Sequence, residues 1–341
     1  MHTEPGPGLA AEDVEMVAGI LARERRSLAK AITLIESTRP DHQARAQVLL
    51  ETLLPYSGQA DKCIRVGISG VPGVGKSTFI EALGMHLVEH GRRVAVLAVD
   101  PSSSLSGGAI LGDKTRMERL SQREDAFIRP TPTSGSLGGV AEKTREAMLL
   151  CEAAGFEVII VETVGVGQSE ISVAGMTDVF VLMQLPNAGD DLQAIKKGTL
   201  ELADVVIFNK SDLDPRASDS AARQMSSALQ MLRPNSPHWQ PRVLQASATQ
   251  GQGIAAFWLT IEAYRKTMLE TGEYSTKRHR QALAWMWALI ESGLHARFRK
   301  HRSVRRDLPA LATAVEAGEI SPALAAERLL DSFKEHQSFP A

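Results

Sequence analysis

The amino-acid sequence predicts an α/β protein: a P-loop domain with a mainly parallel sheet flanked by helices, and helical extensions at both ends. Three observations predict it. Short runs rich in Val and Ile alternate with helical stretches between about residues 62 and 265, the order that builds a parallel sheet covered on both faces. A glycine-rich loop separates the first run from the first helix after it. Before residue 58 and after 275 the apolar residues instead recur at the three-to-four spacing of helices.

The runs are Cys63–Ser69, Val94–Val99, Val158–Val161, Val179–Met183, Val205–Phe208 and Val243–Leu244. Each is short and β-branched, which favours a strand. Between most of them lie helical stretches: Ser77–Glu89, Ala141–Ala154, Leu192–Leu202 and Ser218–Leu232. At the N-terminus, Val14, Val17, Ile20 and Leu21, then Leu28 and Ile32, then Val48, Leu49 and Leu53 keep helical spacing, punctuated by Pro40 and by Pro55–Gly58. Near the C-terminus, Leu283, Trp287, Ile290, Leu294 and Phe298 line one helix face. Shorter helices follow over Asp307–Val315 and Ser321–Phe333, with Ser321 as N-cap and Pro322 in the first turn. The expected division is a helical N-terminal extension over 1–58, a central α/β domain over 59–270 that carries the glycine-rich loop, and a helical C-terminal extension over 271–341.

Composition narrows the function. The 341 residues are 43% hydrophobic, with a formal net charge of −2. A nearly neutral chain has no global electrostatic drive toward nucleic acid or anionic membrane. No run of about 18 uncharged apolar residues suggests a membrane span. The acidic N-terminus lacks the apolar centre of a signal peptide. Cys63 and Cys151 both sit in apolar surroundings and read as buried thiols, so a reducing cytoplasm is expected.

The strongest signal is Gly70-Val71-Pro72-Gly73-Val74-Gly75-Lys76-Ser77, followed by Thr78, a full match to GxxxxGK[ST] at a strand-to-helix junction. Glycines let backbone amides approach phosphates, and the helix N-terminus adds positive potential. Lys76 is expected at the β- and γ-phosphates and Ser77 on Mg2+. Asn209-Lys210-Ser211-Asp212 follows the strand Val205–Phe208 and matches the NKxD element. There Asp212 can accept from the guanine N1–H and exocyclic amine, a donor pair that adenine lacks. Ser247-Ala248-Thr249, after the next strand, is similar to the loop whose backbone meets the guanine O6. These elements predict GTP or GDP as the bound nucleotide.

Glu162-Thr163-Val164-Gly165 closes the run Val158–Val161, where GTPases usually carry DxxG. The Gly165 amide can sense the γ-phosphate, and Glu162 can order Mg2+ or its waters. Asp100 ends the run Val94–Val99, and strand ends in such sheets face the ligand crevice. Asp113 lies in the Ser- and Gly-rich segment after it, where Mg2+ ordering and a local turn cap are both open readings. No catalytic glutamine of the GTPase type is clear; Gln168, three residues after Gly165, is a candidate for water positioning.

Val94–Met117, Phe127–Glu146, Val161–Glu170 and Leu185–Gly198 closely resemble the methylmalonyl-CoA mutase-associated GTPases, the MeaB/ArgK group. The similarity runs from about residue 25 to the C-terminus. The resemblance implies a GTP hydrolase that dimerises through its C-terminal helices. It implies an adenosylcobalamin-dependent acyl-CoA mutase as partner, with hydrolysis coupled to cofactor loading and to protection or reactivation of that mutase. It places Mg2+ and its waters near Ser77, Asp100, Asp113 and Glu162. It makes Leu185–Gly198 a third switch loop, whose charges Asp190, Asp191, Lys196 and Lys197 can meet nucleotide or partner; Lys196 joins Lys76, Glu162 and Asp113 as a candidate catalytic residue. The chain departs from the group in carrying Asn187-Ala188-Gly189-Asp190-Asp191 where Gly-Ala-Gly-Asp-Glu is common, and Gln184 at an otherwise apolar strand end.

Rival readings fit less well. A nickel-insertion GTPase needs a Cys/His relay, and no CxxC or His-rich tract occurs. A transport-protein kinase would not need the guanine clamp of NKSD, and a non-catalytic scaffold would not need Lys76, Ser77 and Glu162 together. Arg297, Arg299, Lys300, Arg302, Arg305 and Arg306 form a basic segment that reads as a solvated helix face or as a contact for an acidic partner surface or the CoA phosphates.

Overall fold

Seven parallel strands form one sheet in a computed structural model that describes residues 9–58, 62–100, 117–132, 137–163, 168–186 and 197–334. The strands are β1 (Ile64–Gly70), β2 (Val94–Asp100), β3 (Ala126–Pro132), β4 (Val158–Thr163), β5 (Val179–Gln184), β6 (Val205–Phe208) and β7 (Arg242–Gln245), in spatial order β3-β2-β4-β1-β5-β6-β7. Register fixes which residues share the functional edge: Ile68 lies opposite Glu162, Ala98 opposite Glu162, and Gln184 opposite Phe208.

The chain divides into two compact units, residues 1–281 and 282–341. In the first, side chains alternate along each strand between two cores, as a period of two requires. Ile159 and Val161 of β4 join the first core, Val158 and Ile160 the second. The first core is closed by α1 (Ala11–Leu21), α2 (Arg25–Glu36), α3 (Pro40–Leu53) and α6 (Leu137–Ala153), through Ile20, Ile32, Leu49 and Met148. The second is closed by α4 (Lys76–Glu89) and α10 (Ile254–Glu270), where the Phe79 and Phe257 rings meet edge to face at 5.2 Å. Cys63 and Cys151 are buried free thiols in the first core, as their apolar neighbours suggested.

The sequence pattern missed β3. Pro130 and Pro132 argue against a strand, yet β3 is the sheet edge and pairs only with β2, so the missing N–H groups cost no ladder bond on its open side. Short α5 (Glu118–Ser121) precedes it. The helix expected over Ser218–Leu232 is α9 (Pro215–Met231), begun earlier because Asp214 Oδ1 accepts from the Ala217 amide at 3.0 Å. The helix expected from Ala141 starts at Leu137. Of the helix expected over Leu192–Leu202, α8 (Lys197–Glu201) is seen and residues 192–196 lie outside the described residues.

At the N-terminal ends of the strands, away from the predicted nucleotide site, Asp178 precedes β5 and is almost fully buried. It accepts from Arg278 Nε at 2.9 Å and Nη2 at 2.7 Å, from Tyr274 OH at 2.6 Å and from the Arg65 amide at 2.8 Å. Arg278, Tyr274 and Gln281 belong to the first turns of the 28-residue helix α11 (Glu273–Lys300), so this helix begins inside the first unit.

In the second unit, α12 (Arg302–Glu316) packs against α13 (Pro322–Lys334). Phe298 and Phe333 stack edge to face at 5.5 Å, and Ser321 Oγ caps α13 by accepting from the Leu324 amide at 3.2 Å. Leu283, Met286, Trp287, Ile290 and Leu294 of α11 are exposed. Among the described residues no helix is long and apolar enough to cross a membrane.

Candidate functional site

The predicted phosphate loop turns from β1 into α4. Gly70 passes so close to β5 that a Cβ would lie 2.5 Å from the Met183 carbonyl oxygen. Gly75 caps α4 at φ +93°, and a Cβ there would lie 2.7 Å from Asn209 Nδ2. Both conditions exclude a side chain. Lys76, 8% exposed, donates from Nζ to the carbonyls of Gly70 at 2.8 Å and Val71 at 3.4 Å. Burial lowers its pKa, and the charges of Glu162 and Glu170 oppose that shift. Val74 is buried beneath the loop; Pro72, Gly73 and Thr78 face solvent.

Ser77 Oγ donates to Glu162 Oε1 at 3.1 Å. Two residues far apart in sequence, one at the start of α4 and one near the end of β4, thus present a hydroxyl and a carboxylate together. Both are hard oxygen donors of the kind that suits Mg2+. The backbone of Asp100 closes β2 on the same edge, since Ala98, two residues earlier, pairs with Glu162. Asp113, Gly165, Asp190, Asp191 and Lys196 lie outside the described residues. Gln168 opens the backbone of α7 (Gln168–Ala174).

The NKSD and SAT segments meet the phosphate loop directly. Asn209, 1% exposed, donates from Nδ2 to the Val74 carbonyl at 2.9 Å and accepts on Oδ1 from the Ala248 amide at 3.2 Å. Lys210 adopts φ +58° and donates from Nζ to the Gly73 carbonyl at 2.9 Å. The Ser211 amide donates to the Ala246 carbonyl at 3.1 Å. Ser247 is fully buried, exchanges backbone bonds with Gln252 at 3.0 Å each way, and brings its hydroxyl within 3.4 Å of Thr249 Oγ1. Asp212 is half-buried and accepts from Gln250 Nε2 at 3.4 Å. Asn209 and Lys210 therefore buttress the loop, while Asp212 keeps its carboxylate partly open to solvent. Gln184 is buried, and its carbonyl accepts from the Asn209 amide at 2.9 Å.

Residue-by-residue sequence reading passed over Ser69, Glu170, Thr199 and Gln250. Glu170 and Thr199 are 29 positions apart and hydrogen-bonded at 2.8 Å; no local pattern couples them. The only available signal was that Glu170 ends the motif Val161–Glu170.

Comparison with known proteins agrees with this geometry. The sequence profile of the family described as "Methylmalonyl Co-A mutase-associated GTPase MeaB" matches residues 28–303. A putative GTPase of Caulobacter vibrioides is 53% identical, covering 92% of this chain and 95% of that protein. The GTPase ArgK of Escherichia coli is 50% identical over 80% of this chain and 82% of its own length. A mouse protein named methylmalonic aciduria type A homolog, mitochondrial, is 46% identical over 98% of this chain and 82% of its own. The crystal structure of an LAO/AO transport system kinase superposes with a TM-score of 0.75 at 38% identity, covering 94% of this chain and 97% of that one. With its P-loop fold and guanine-nucleotide motifs, this GTP-hydrolysing chain belongs to the methylmalonyl-CoA mutase-associated GTPase family MeaB.

Proposed function

We propose that this GTPase binds an adenosylcobalamin-dependent acyl-CoA mutase, with methylmalonyl-CoA mutase as the partner, and couples hydrolysis to loading of the cobalamin and to protection or reactivation of the mutase. The observation that carries this reading is the family match over residues 28–303. The names of the mouse and nematode relatives, methylmalonic aciduria type A homologs, support it.

In this reading Gly70–Thr78 cradles the phosphates. Lys76 leaves its carbonyl partners to meet the β- and γ-phosphates, whose charge replaces two neutral acceptors. Ser77 and Glu162 would hold Mg2+ with Asp100 and Asp113; the metal would neutralise charge on the phosphate oxygens. The support for Mg2+ is the Ser77–Glu162 pair, since among the described residues no three His, Cys, Asp or Glu side chains converge. Asp212 selects guanine, with Asn209, Lys210 and Ser247–Thr249 shaping its surroundings. Gly165 and Lys196 respond to the γ-phosphate and the partner.

Residues 59–270 would carry this chemistry, with 1–58 as an N-terminal extension. The segment 271–341 would hold two copies together through the exposed apolar residues 283–294 of α11. The deciding experiment is GTP hydrolysis with and without methylmalonyl-CoA mutase, alongside transfer of adenosylcobalamin to the apo-mutase. An acceleration of about tenfold or more, and GTP-dependent transfer, are expected; partner-completed GTPase sites gain up to ~10^5-fold. No acceleration and nucleotide-independent transfer would refute the reading.

The similar structure described as a transport system kinase carries a second reading, phosphoryl transfer to a protein. The guanine-type NKSD loop weighs against an ATP-dependent kinase. Phosphotransfer assays with ATP and GTP separate the two.

A further inference from the structure

Four residues on four separate elements are strung on one hydrogen-bond chain beside the phosphate loop. Thr163, the last residue of β4, donates from Oγ1 to Ser69 Oγ at 2.9 Å. Ser69, fully buried immediately before Gly70, donates its own hydroxyl to Glu170 Oε1 at 3.1 Å. From the other side Thr199, in α8, donates to Glu170 Oε2 at 2.8 Å. Glu170 lies in α7.

The direction of the chain follows from chemistry. A carboxylate accepts only, so both hydroxyls must point their single hydrogen at it. Ser69 has spent its hydrogen on Glu170 and must accept from Thr163. Each bond to Glu170 is charge-assisted, and so is stronger than a hydroxyl pair. The chain joins the residue after Glu162, the residue before the phosphate loop and the first helix after the segment 187–196. The Lys76 ammonium donates to the Gly70 and Val71 carbonyls and not to Glu170, yet the charge of Glu170 opposes the fall in pKa that burial gives Lys76.

We propose that Glu170 is a positioning residue of the hydrolysis machinery, holding Thr199 of α8 in register with Ser69 and the β4 end so that a change at the phosphates moves α8. This rests on the reading of Lys76, Ser77 and Glu162 as the phosphate-side groups, and it names the link by which that site reaches the chain beyond residue 196.

The test uses the full-length protein carrying GDP or a non-hydrolysable GTP analogue, with hydrogen exchange followed in peptides over 197–203 and 158–163. In the wild type, exchange over 197–203 should differ between the two nucleotide states. Glu170→Ala should abolish that difference and lower kcat for GTP by about 10–100-fold with KM within about twofold, the pattern of a misplaced group and not of lost binding. Glu170→Gln should largely restore both, because a rotated hydroxyl accepts the amide N–H and each end keeps a bond. Thr199→Val cuts one arm only and should also abolish the difference, which covers the case in which Glu170→Ala does not fold. The proposal is overturned by wild-type exchange over 197–203 that ignores the nucleotide, or by a difference that survives in Glu170→Ala or Thr199→Val. It is equally overturned if Glu170→Gln fails as badly as Glu170→Ala, which would assign the effect to charge on Lys76. None of these readouts needs the mutase. A wild type that the mutase does not stimulate would refute the proposed function while leaving the α8 response to decide the role of Glu170.

Discussion

Asn209 Nδ2 donates to the backbone carbonyl of Val74 at 2.9 Å, so the guanine-type motif holds the phosphate loop by its own main chain. The same side chain accepts from the Ala248 amide at 3.2 Å, which makes Asn209 the joint of three loops drawn from β1, β6 and β7. Asn209→Ala removes both bonds and leaves a buried carbonyl and a buried amide unpaired, at about 1–3 kcal/mol each. The expected outcome is a fall in GDP affinity of about tenfold or more and a lower melting temperature, read by calorimetry. Unchanged affinity and melting would show that the loops hold their shape without this joint.

Lys76→Ala should abolish tight GTP binding. The site otherwise offers neutral backbone amides, and the lysine is the point charge aimed at the β- and γ-phosphates. Titration calorimetry with GTP checks this, and wild-type affinity in the variant would overturn the phosphate-loop assignment.

Asp212→Asn should move preference from guanine toward xanthine nucleotides. The variant loses an acceptor for the guanine amine and presents an amide donor to the xanthine C2 carbonyl. A loss of about 2–5 kcal/mol for GDP is expected from breaking a charge-assisted pair. Competition between GDP and XDP reads the switch; equal GDP binding by both proteins would remove Asp212 from base recognition.

Arg278→Ala should destabilise the first unit by about 3–5 kcal/mol at neutral pH, because it strands a buried carboxylate. Burial alone would raise the Asp178 pKa; the Arg278 charge and hydrogen bond, aided by Arg65 and Tyr274, outweigh it and hold the group below its ordinary 3.8. A depressed carboxylate stabilises fully above its unfolded value and loses that contribution as pH falls through the folded one. Wild-type stability from this group should therefore drop only below pH 3.8. In the variant burial is no longer outweighed, so its carboxyl protonates at higher pH, and the gap between wild type and variant should begin to narrow above pH 3.8. Denaturant unfolding at stepped pH measures it, and a gap that widens on acidification would contradict the assignment.

If the proposed homodimer forms through α11, Trp287→Glu and Ile290→Glu should each convert it to a monomer. Trp287 is 57% and Ile290 40% exposed on one face of α11, and a charge buried at an apolar interface is not compensated. Light scattering of the full-length variants decides it. A wild type that is already monomeric at micromolar concentration would refute the dimer.

The sequence by itself determined the parallel sheet apart from β3, and the strand ends at which its nucleotide-type motifs gather. Gly70–Ser77, Glu162 and Asn209–Asp212 are each short-range signals: a residue type at a strand end or helix start carries its chemistry with it, and local spacing is enough to read it. The same holds for the Ser321 cap and the apolar face of α11. Tertiary structure alone decided what these residues do to one another. That Ser77 meets Glu162, that Asn209 braces Val74, and that Glu170 gathers Ser69 and Thr199 depends on side chains brought together across 85, 135, 101 and 29 positions of chain. Such pairings are set by strand order, and strand order follows from packing two cores against one twisted sheet, which no window of sequence contains. β3 makes the same point in reverse: Pro130 and Pro132 spoil the local pattern, and only the edge position that the whole sheet assigns them makes a strand possible.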